Sequence, residues 1–174
     1  MDIWKELRDE GIDPALLEEI QHFRAAHPVP PEAEARIPVP QCLYYGKEVW
    51  ESAAAALLCG QHLLLAGPKA TGKNVLAEDL AAVFGRPVWD VSMYVNVDAA
   101  ALIGADTLQK GEVVFREGPI CRCARLGGFG VLDEVNMAKN EALAVLHATL
   151  DHRRVIDVPG YERITLDDAT RFIG

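Results

Sequence analysis

Apolar residues at helical spacing predict two short helices at the start of the chain. They fall first at Ile3, Trp4 and Leu7, and then at Leu16, Leu17, Ile20 and Phe23. Asp13 and Pro14 suit the cap and first turn of the second helix. Closely spaced prolines from Pro28 to Pro40 stop that helix and predict an extended connector. We therefore divide the chain into a helical appendage (residues 1–27), a proline-rich linker (28–40) and a globular domain (41–174).

Beyond residue 41, apolar runs of strand length alternate with helical segments. The predicted helices cover residues 48–59 and 75–84, and the predicted strands cover 62–66, 87–92, 129–133 and 170–173. Strands separated by helices are typical of a parallel sheet that helices cover on both faces. The pattern therefore predicts an α/β fold, with inserted hairpins at 112–116 and 153–166.

The composition favours a folded domain and counts against polyanionic partners. Half of the 174 residues are hydrophobic, and 26 acidic against 17 basic residues give a formal charge of -9. Such a charge repels nucleic acid backbones and anionic membranes. No apolar run reaches the length of about 18 residues that a membrane span needs, so we expect a cytoplasmic location. The cysteines lack zinc-ligand spacing and are expected to be buried or half-buried thiols.

A glycine-rich loop between a predicted strand and a predicted helix carries the strongest functional signal. It consists of Gly67, Pro68, Lys69, Ala70, Thr71, Gly72, Lys73 and Asn74, with Val75 next. The glycines let backbone N–H groups point inward, and the following helix N-terminus adds partial positive charge. Lys73 supplies a positive charge for β- and γ-phosphates. Residues 67–75 are therefore predicted to bind a nucleoside triphosphate.

The residue after Lys73 departs from the usual pattern of phosphate loops. Where serine or threonine normally offers a hydroxyl to Mg²⁺, this chain has Asn74. The amide oxygen of asparagine can bind a hard cation, but from a longer side chain and at a different angle. Asn74 is predicted to be a magnesium ligand with altered affinity and geometry.

An acidic pair follows an apolar strand later in the chain. The predicted strand over 129–133 is apolar up to Leu132 and ends in Asp133, which Glu134 follows. Adjacent residues leaving a strand point in opposite directions, so the two carboxylates can have different roles. We predict that Asp133 holds Mg²⁺ and that Glu134 orients and deprotonates the water that attacks the γ-phosphate. Asn136 is expected to cap the helix that follows.

Four segments, taken together, resemble the MoxR-like and dynein-related branch of the AAA+ ATPases. They are 67–74, Leu102-Ile103-Gly104, 115–120 and 132–137. The resemblance covers about residues 41–174. It implies a P-loop NTPase sandwich with strand order 5-1-4-3-2, ATP and Mg²⁺ as cofactors, and ATP hydrolysis. It also implies a homo-oligomeric ring, usually hexameric, that remodels a partner protein, often beside a von Willebrand A-type protein.

The base-binding segment is less determined by the sequence. In the family that the chain resembles, the segment before the first helix of the domain lies over the base, which makes Tyr44, Tyr45 and Gly46 candidates. Core packing of the two tyrosines accounts for the same residues equally well. Relatives that use GTP to drive DNA restriction share the motifs, so the resemblance favours ATP over GTP without deciding between them.

The chain ends within the fourth predicted strand, before the family's polar sensor residue. The fifth strand, the arginine finger and the helical lid of the family have no counterpart in this sequence, so we expect a fragment of an AAA+ protein. Residues 1–174 alone are expected to bind nucleotide weakly and to hydrolyse it little, because an arginine finger accelerates hydrolysis about 10³- to 10⁵-fold. A nucleotide-gated binding module, a hydrolysis-deficient ring subunit and a GTP-using restriction motor remain alternatives.

Overall fold

The amino-terminal helices form where the apolar pattern predicts them. A computed structural model describes residues 2–174 and contains α1 (Ile3–Asp9) and α2 (Pro14–Ala26). The Asp2 carboxylate accepts the Trp4 N–H, and Asp13 accepts the Ala15 N–H, so side chains cap both helices. Leu7, Leu17 and Ile20 are buried against the rest of the protein rather than exposed for a partner.

The linker contains one helical turn, so the prediction that residues 28–40 are extended throughout is wrong. Pro31 occupies the first turn of α3 (Pro31–Glu34), where its missing N–H costs nothing. After this turn, Arg36 runs along the first strand of the sheet. The Val88 N–H donates to the Arg36 carbonyl at 3.0 Å, and the Arg36 guanidinium donates to the Val88 carbonyl at 3.2 Å.

The globular part contains six further α-helices and seven strands. The helices are α4 (Lys47–Leu58), α5 (Lys73–Phe84), α6 (Ala99–Ile103), α7 (Pro119–Arg125), α8 (Asn140–Ala144) and α9 (His147–Leu150). The strands are β1 (Val88–Ser92), β2 (Gly104–Gln109), β3 (Glu112–Glu117), β4 (Phe129–Asp133), β5 (Val155–Val158), β6 (Glu162–Thr165) and β7 (Arg171–Ile173).

The central sheet is parallel, in the order β1-β4-β7. The prediction of a full strand over 62–66 is wrong, because only Leu63 forms a bridge, to Ile173 of β7. The backbone there is nevertheless tied to β7: the Leu63 N–H donates to Phe172 at 2.9 Å and the Leu65 N–H to Gly174 at 2.7 Å. The segment therefore lies beside β7 at the sheet edge, which agrees with the strand neighbours implied by the family resemblance.

Side chains from the sheet alternate between two apolar cores. Phe129, Val131 and Ile173 pack with α1, α2, α4 and α5, whereas Leu132 and Phe172 pack with α6, α7 and the hairpins. Helices thus cover both faces of a parallel sheet. This arrangement confirms the predicted α/β P-loop fold class.

Both predicted hairpins are present, but the predicted segment 112–116 is only the second strand of the first hairpin, which also includes β2. Side chains connect the two hairpins. The β2-β3 turn uses Lys110 and Gly111, both with positive φ, and the β5-β6 turn includes Pro159 and Gly160. Tyr161 donates its hydroxyl to Asp106, and its ring lies 4.9 Å from the Phe115 ring. Arg125 of α7 contacts Glu117 of one hairpin at 2.6 Å and also Glu162 of the other.

Three arginines, of which Arg171 is buried, Arg154 half-buried and Arg24 exposed, bond backbone carbonyls at the end of the sheet that is remote from the phosphate loop. Arg171 donates through Nε to the Leu57 carbonyl at 2.8 Å, at the C-terminus of α4. Arg154 donates to the Thr170 carbonyl at 3.1 Å, and Arg24 donates to the Val83 carbonyl at 3.0 Å near the end of α5. The guanidinium groups of Arg24 and Arg171 thus bond carbonyls in the last turns of α5 and α4, where a positive charge also interacts favourably with the helix dipole. Burial lowers the pKa of Arg171 to about 10.

Two smaller predictions are corrected. Asn136 does not cap a long helix, because it lies within a 3₁₀ turn (Val135–Met137), and two short helices, α8 and α9, follow. Cys121 and Cys123 are buried as expected, but Cys42 and Cys59 are exposed. Within residues 2–174, every helix is too short or too polar to cross a lipid bilayer.

Candidate functional site

The glycine-rich loop joins the edge segment 62–66 to α5. Ala70 has φ of +60° and Gly72 has φ of +83°, whereas Thr71 between them lies in the ordinary negative range. Alternation of this kind turns successive N–H groups toward one side and forms an anion-binding concavity. Gly72 is also the N-cap of α5, so the free N–H groups of this helix begin where the loop ends.

Lys73 is held inside the loop by backbone carbonyls. Its ammonium donates to the Pro68 carbonyl at 2.7 Å and to the Gly67 carbonyl at 3.1 Å. The Thr71 hydroxyl donates to the same Pro68 carbonyl at 3.0 Å. The ammonium is therefore positioned over the loop, with partners that a phosphate oxygen can replace.

The two predicted magnesium ligands line one cleft of about 540 Å³, between α5 and the sheet. Asn74 enters it from the first turn of α5, and Asp133 enters it from the end of β4. Ser92 pairs with Asp133 in the parallel register, and Asp90 lies two residues earlier on β1. The cleft thus meets the carboxyl ends of two neighbouring strands, which is where α/β sheets bind ligands.

Electrostatics in the cleft are dominated by carboxylates. The pKa of Asp90 is raised first by burial and then by the negative charge of Asp133, while Arg36 opposes both effects. Glu78, one turn after Asn74 on α5, lines the same wall. A wall of carboxylate and amide oxygens suits a hard cation such as Mg²⁺.

Glu134 adopts a backbone conformation that is unusual for its residue type. Its φ of +53° and ψ of 41° place it in the left-handed region, between β4 and the 3₁₀ turn. The Glu134 side chain is exposed, whereas Asp133 is half-buried. The turn thus separates the two neighbouring carboxylates, as the sequence predicts. A left-handed non-glycine residue costs about 1 kcal/mol or more, and such strain concentrates at functional sites.

The tyrosines near the loop have different environments. Tyr44 is half-buried, and an ideal Cβ on Gly72 would lie 3.1 Å from its ring. The backbone N–H of Tyr44 donates to the Asp79 carboxylate at 2.7 Å. Tyr45 is 66% exposed. Tyr44 therefore packs against the phosphate loop, and Tyr45 presents its ring to solvent beside it.

The structure brings together most of the residues predicted for the site. The loop 67–72, Lys73, Asn74 and Asp133 lie around the start of α5 and the cleft beside it, and Glu134 borders them. Sequence reasoning missed Ser92 and Asp90, although their alternation with apolar neighbours in a strand is a usable signal. It also missed Asp79, whose partner is 35 residues away in sequence.

Comparison with protein families identifies the same part of the chain. The sequence model for the AAA domain of the dynein-related subfamily matches residues 62–174. A crystal structure of a protein from Cytophaga hutchinsonii, provisionally described as an ATPase, aligns with a TM-score of 0.57 and 16% identity. The alignment covers 98% of this chain and 46% of that protein. At this identity, the likeness concerns the fold.

Sequence relatives are longer than this chain. The uncharacterized protein YojN of Bacillus subtilis is 35% identical over 136 residues, which are 76% of this chain and 45% of YojN. An uncharacterized protein of Staphylococcus saprophyticus is 35% identical over 116 residues, which are 64% of this chain and 44% of the staphylococcal protein. The chain thus spans about half the length of the curated relatives that it matches.

Proposed function

Because the chain belongs to the dynein-related subfamily of AAA domains, we propose that it binds ATP with Mg²⁺ as the nucleotide-binding core of a MoxR-like remodelling ATPase. The observation that carries this proposal is the joint position of the phosphate loop and Asp133. Lys73 lies over the loop at the start of α5, and Asp133 faces the adjoining cleft together with Asn74. A glycine-rich turn alone, or an acidic strand end alone, is compatible with a purely structural role, but their convergence favours a nucleoside triphosphate.

In this proposal the loop binds the phosphates with its backbone. N–H groups of residues 67–72 and of the first turn of α5 donate to phosphate oxygens, and Lys73 exchanges its carbonyl partners for the β- and γ-phosphates. Val75 continues the first turn of the helix. Tyr45 is the exposed candidate for stacking on the base.

Asn74 and Asp133 fit a magnesium ion because both offer oxygen atoms to one cleft. When bound, Mg²⁺ neutralises charge on the β- and γ-phosphates. Glu134 is proposed to orient the attacking water and to accept its proton. Its exposed position beside Asp133 leaves the carboxylate free to approach a γ-phosphate.

The proposal extends to assembly. AAA domains act in oligomers, and we propose a homo-oligomeric ring, usually hexameric in this family, with an arginine contributed across the subunit interface. A von Willebrand A-type protein is a candidate partner. We propose a cytoplasmic location, because the four cysteines are free thiols, as is usual in a reducing compartment. The net charge of -9 disfavours the alternative of a GTP-using motor on DNA.

Asn74 favours a second candidate function, a nucleotide-gated module that binds ATP without hydrolysing it. An amide in place of the usual hydroxyl alters the position of a magnesium ion. Binding would then persist while water activation fails.

One experiment separates the two functions. Binding of a fluorescent ATP analogue and phosphate release are measured for the chain and for Glu134→Gln, with Glu141→Gln on α8 as the matched control. The ATPase proposal predicts slow turnover, below about 1 s⁻¹, that falls at least tenfold in Glu134→Gln while binding persists. Binding with no turnover in any variant favours the gated module when it also holds for the assembled oligomer, because a single domain lacks the arginine that a neighbouring subunit contributes. Competition by GTP in the same assay tests the preference for ATP.

A further inference from the structure

Asp79 is a buried carboxylate that the proposed chemistry does not use. It lies on α5, six residues after Lys73, and its side chain is 0% exposed. One carboxylate oxygen, Oδ2, accepts the backbone N–H of Tyr44 at 2.7 Å. The other, Oδ1, is buried without a hydrogen-bond partner among residues 2–174.

Such a carboxylate is costly to bury. Burial raises the pKa of Asp79 to about 6, and the negative charge of Glu78 adds to this rise. An apolar side chain at this position of α5 would avoid the cost. Asp79 instead forms one charge-assisted hydrogen bond to the segment around Tyr44, which is distant in sequence.

That segment lies on the phosphate loop. The Tyr44 ring packs on Gly72, where an added Cβ would lie 3.1 Å from Cδ2, and on Gly46, where the distance to Cε1 would be 2.9 Å. The bond to Asp79 fixes the Tyr44 backbone, and the ring fixes the segment against the loop. Tyr45 follows directly, with its ring in solvent.

We propose that Asp79 is a positioning residue that holds residues 44–46 beside the phosphate loop, so that the nucleoside part of ATP meets a preformed surface. This inference rests on the proposed nucleotide binding and adds the origin of its affinity for the nucleoside. A preformed segment lowers the entropy cost of binding. Phosphate contacts come from residues 67–73 rather than from residues 44–46, so the loss of Asp79 should affect them less than it affects the contacts to the nucleoside.

Calorimetric titrations with ATP and with inorganic tripolyphosphate test the inference. In Asp79→Ala the Kd for ATP should rise about tenfold, while the Kd for tripolyphosphate stays within about twofold. Asp79→Asn keeps an acceptor for Tyr44, so its Kd for ATP should rise only about threefold. Asp98→Asn is the matched control. The Asp98 carboxylate also accepts a backbone N–H, that of Ala101 at 2.8 Å, but it caps α6 and does not contact the phosphate loop.

Equal changes for both ligands, or unchanged ATP affinity, would overturn the positioning role, because a merely structural residue does not distinguish the two ligands. If Asp79→Ala does not fold, Asp79→Asn is used for the same comparison of the two Kd values. A threefold rise of the Kd for ATP, with an unchanged Kd for tripolyphosphate, would then support the inference. If the unaltered chain binds neither ligand, the proposed function fails, and the inference fails with it. That outcome is distinguishable because it is seen before any substitution.

Discussion

Gly104 lies so close to Arg116 that an ideal Cβ on the glycine would be 2.3 Å from the Arg116 carbonyl oxygen. Its φ of +130° is also unfavourable for other residues. The contact closes the base of the β2-β3 hairpin, since Gly104 pairs with Glu117 and Gly118 donates to the Ile103 carbonyl at 2.7 Å. The Leu102-Ile103-Gly104 motif therefore has a steric basis.

Gly104→Ala is expected to destabilise the protein by more than about 3 kcal/mol, because backbone atoms must move to admit the methyl group. Gly111→Ala is the matched control. Gly111 also has positive φ, but no atom lies within 4 Å of its ideal Cβ. It should lose about 1 to 2 kcal/mol. Denaturant unfolding measures both variants, and similar losses would contradict the steric account.

His62 is expected to make the fold sensitive to acid. Burial lowers its pKa to about 4, and the charges of Arg154 and Arg171 contribute. The Phe172 N–H donates to His62 Nδ1 at 3.0 Å, so the neutral ring is the form that the fold accepts. Because the unfolded state binds the proton more tightly, stability is full above about pH 6.5 and falls toward pH 4, by at most about 3 kcal/mol.

His62→Asn keeps an acceptor for the Phe172 N–H but does not titrate in this range. The free energy of unfolding, measured by urea denaturation at pH 7, 5.5 and 4.5, should depend less on pH in this variant than in the unaltered protein. His152→Asn, which changes an exposed histidine, is the control. An unchanged slope in His62→Asn would show that other groups cause the acid sensitivity.

Asp133 and Asp90 are expected to be coupled through the cleft. Burial raises the pKa of Asp90, and the charge of Asp133 raises it further. Asp133→Asn should therefore lower the pKa of Asp90. Arg36→Gln should raise it, because Arg36 has the opposite effect. Carboxyl chemical shifts followed by NMR over pH measure both variants, and shifts of the same sign would contradict this picture of the cleft.

The parts of the site that are formed by residues adjacent in the sequence could be predicted from it. The phosphate loop and the Asp133-Glu134 pair each occupy a short segment whose local pattern sets its position in the fold. The second hairpin was predictable for the same reason, since Pro159-Gly160 is a turn sequence, whereas the prediction for the first hairpin, 112–116, missed its first strand at Gly104–Gln109.

Contacts distant in sequence were not predictable. Nothing near Asp79 indicates that its partner is the Tyr44 backbone, and nothing near Arg36 indicates that it pairs with Val88. The apolar run at 62–66 predicts a strand, yet its pairing is limited by β7, which has only three residues. Strand formation there depends on the neighbour rather than on intrinsic preference.

The central claim is that the loop at Gly67–Lys73 binds the phosphates of ATP, and Lys73→Ala tests it most directly. Lys69→Ala is the matched control, because Lys69 is an exposed lysine of the same loop. Loss of the Lys73 ammonium should weaken ATP about 10- to 100-fold, as charge-assisted hydrogen bonds contribute about 1.5 to 3 kcal/mol.

The decisive measurement is therefore equilibrium binding of a fluorescent ATP analogue, with and without Mg²⁺, to the chain and to both lysine variants. The account predicts saturable binding that Mg²⁺ strengthens, that Lys73→Ala weakens about 10- to 100-fold and that Lys69→Ala keeps within about threefold. A Kd that Lys73→Ala changes by less than about threefold, or no binding by the folded, unaltered chain, would contradict it.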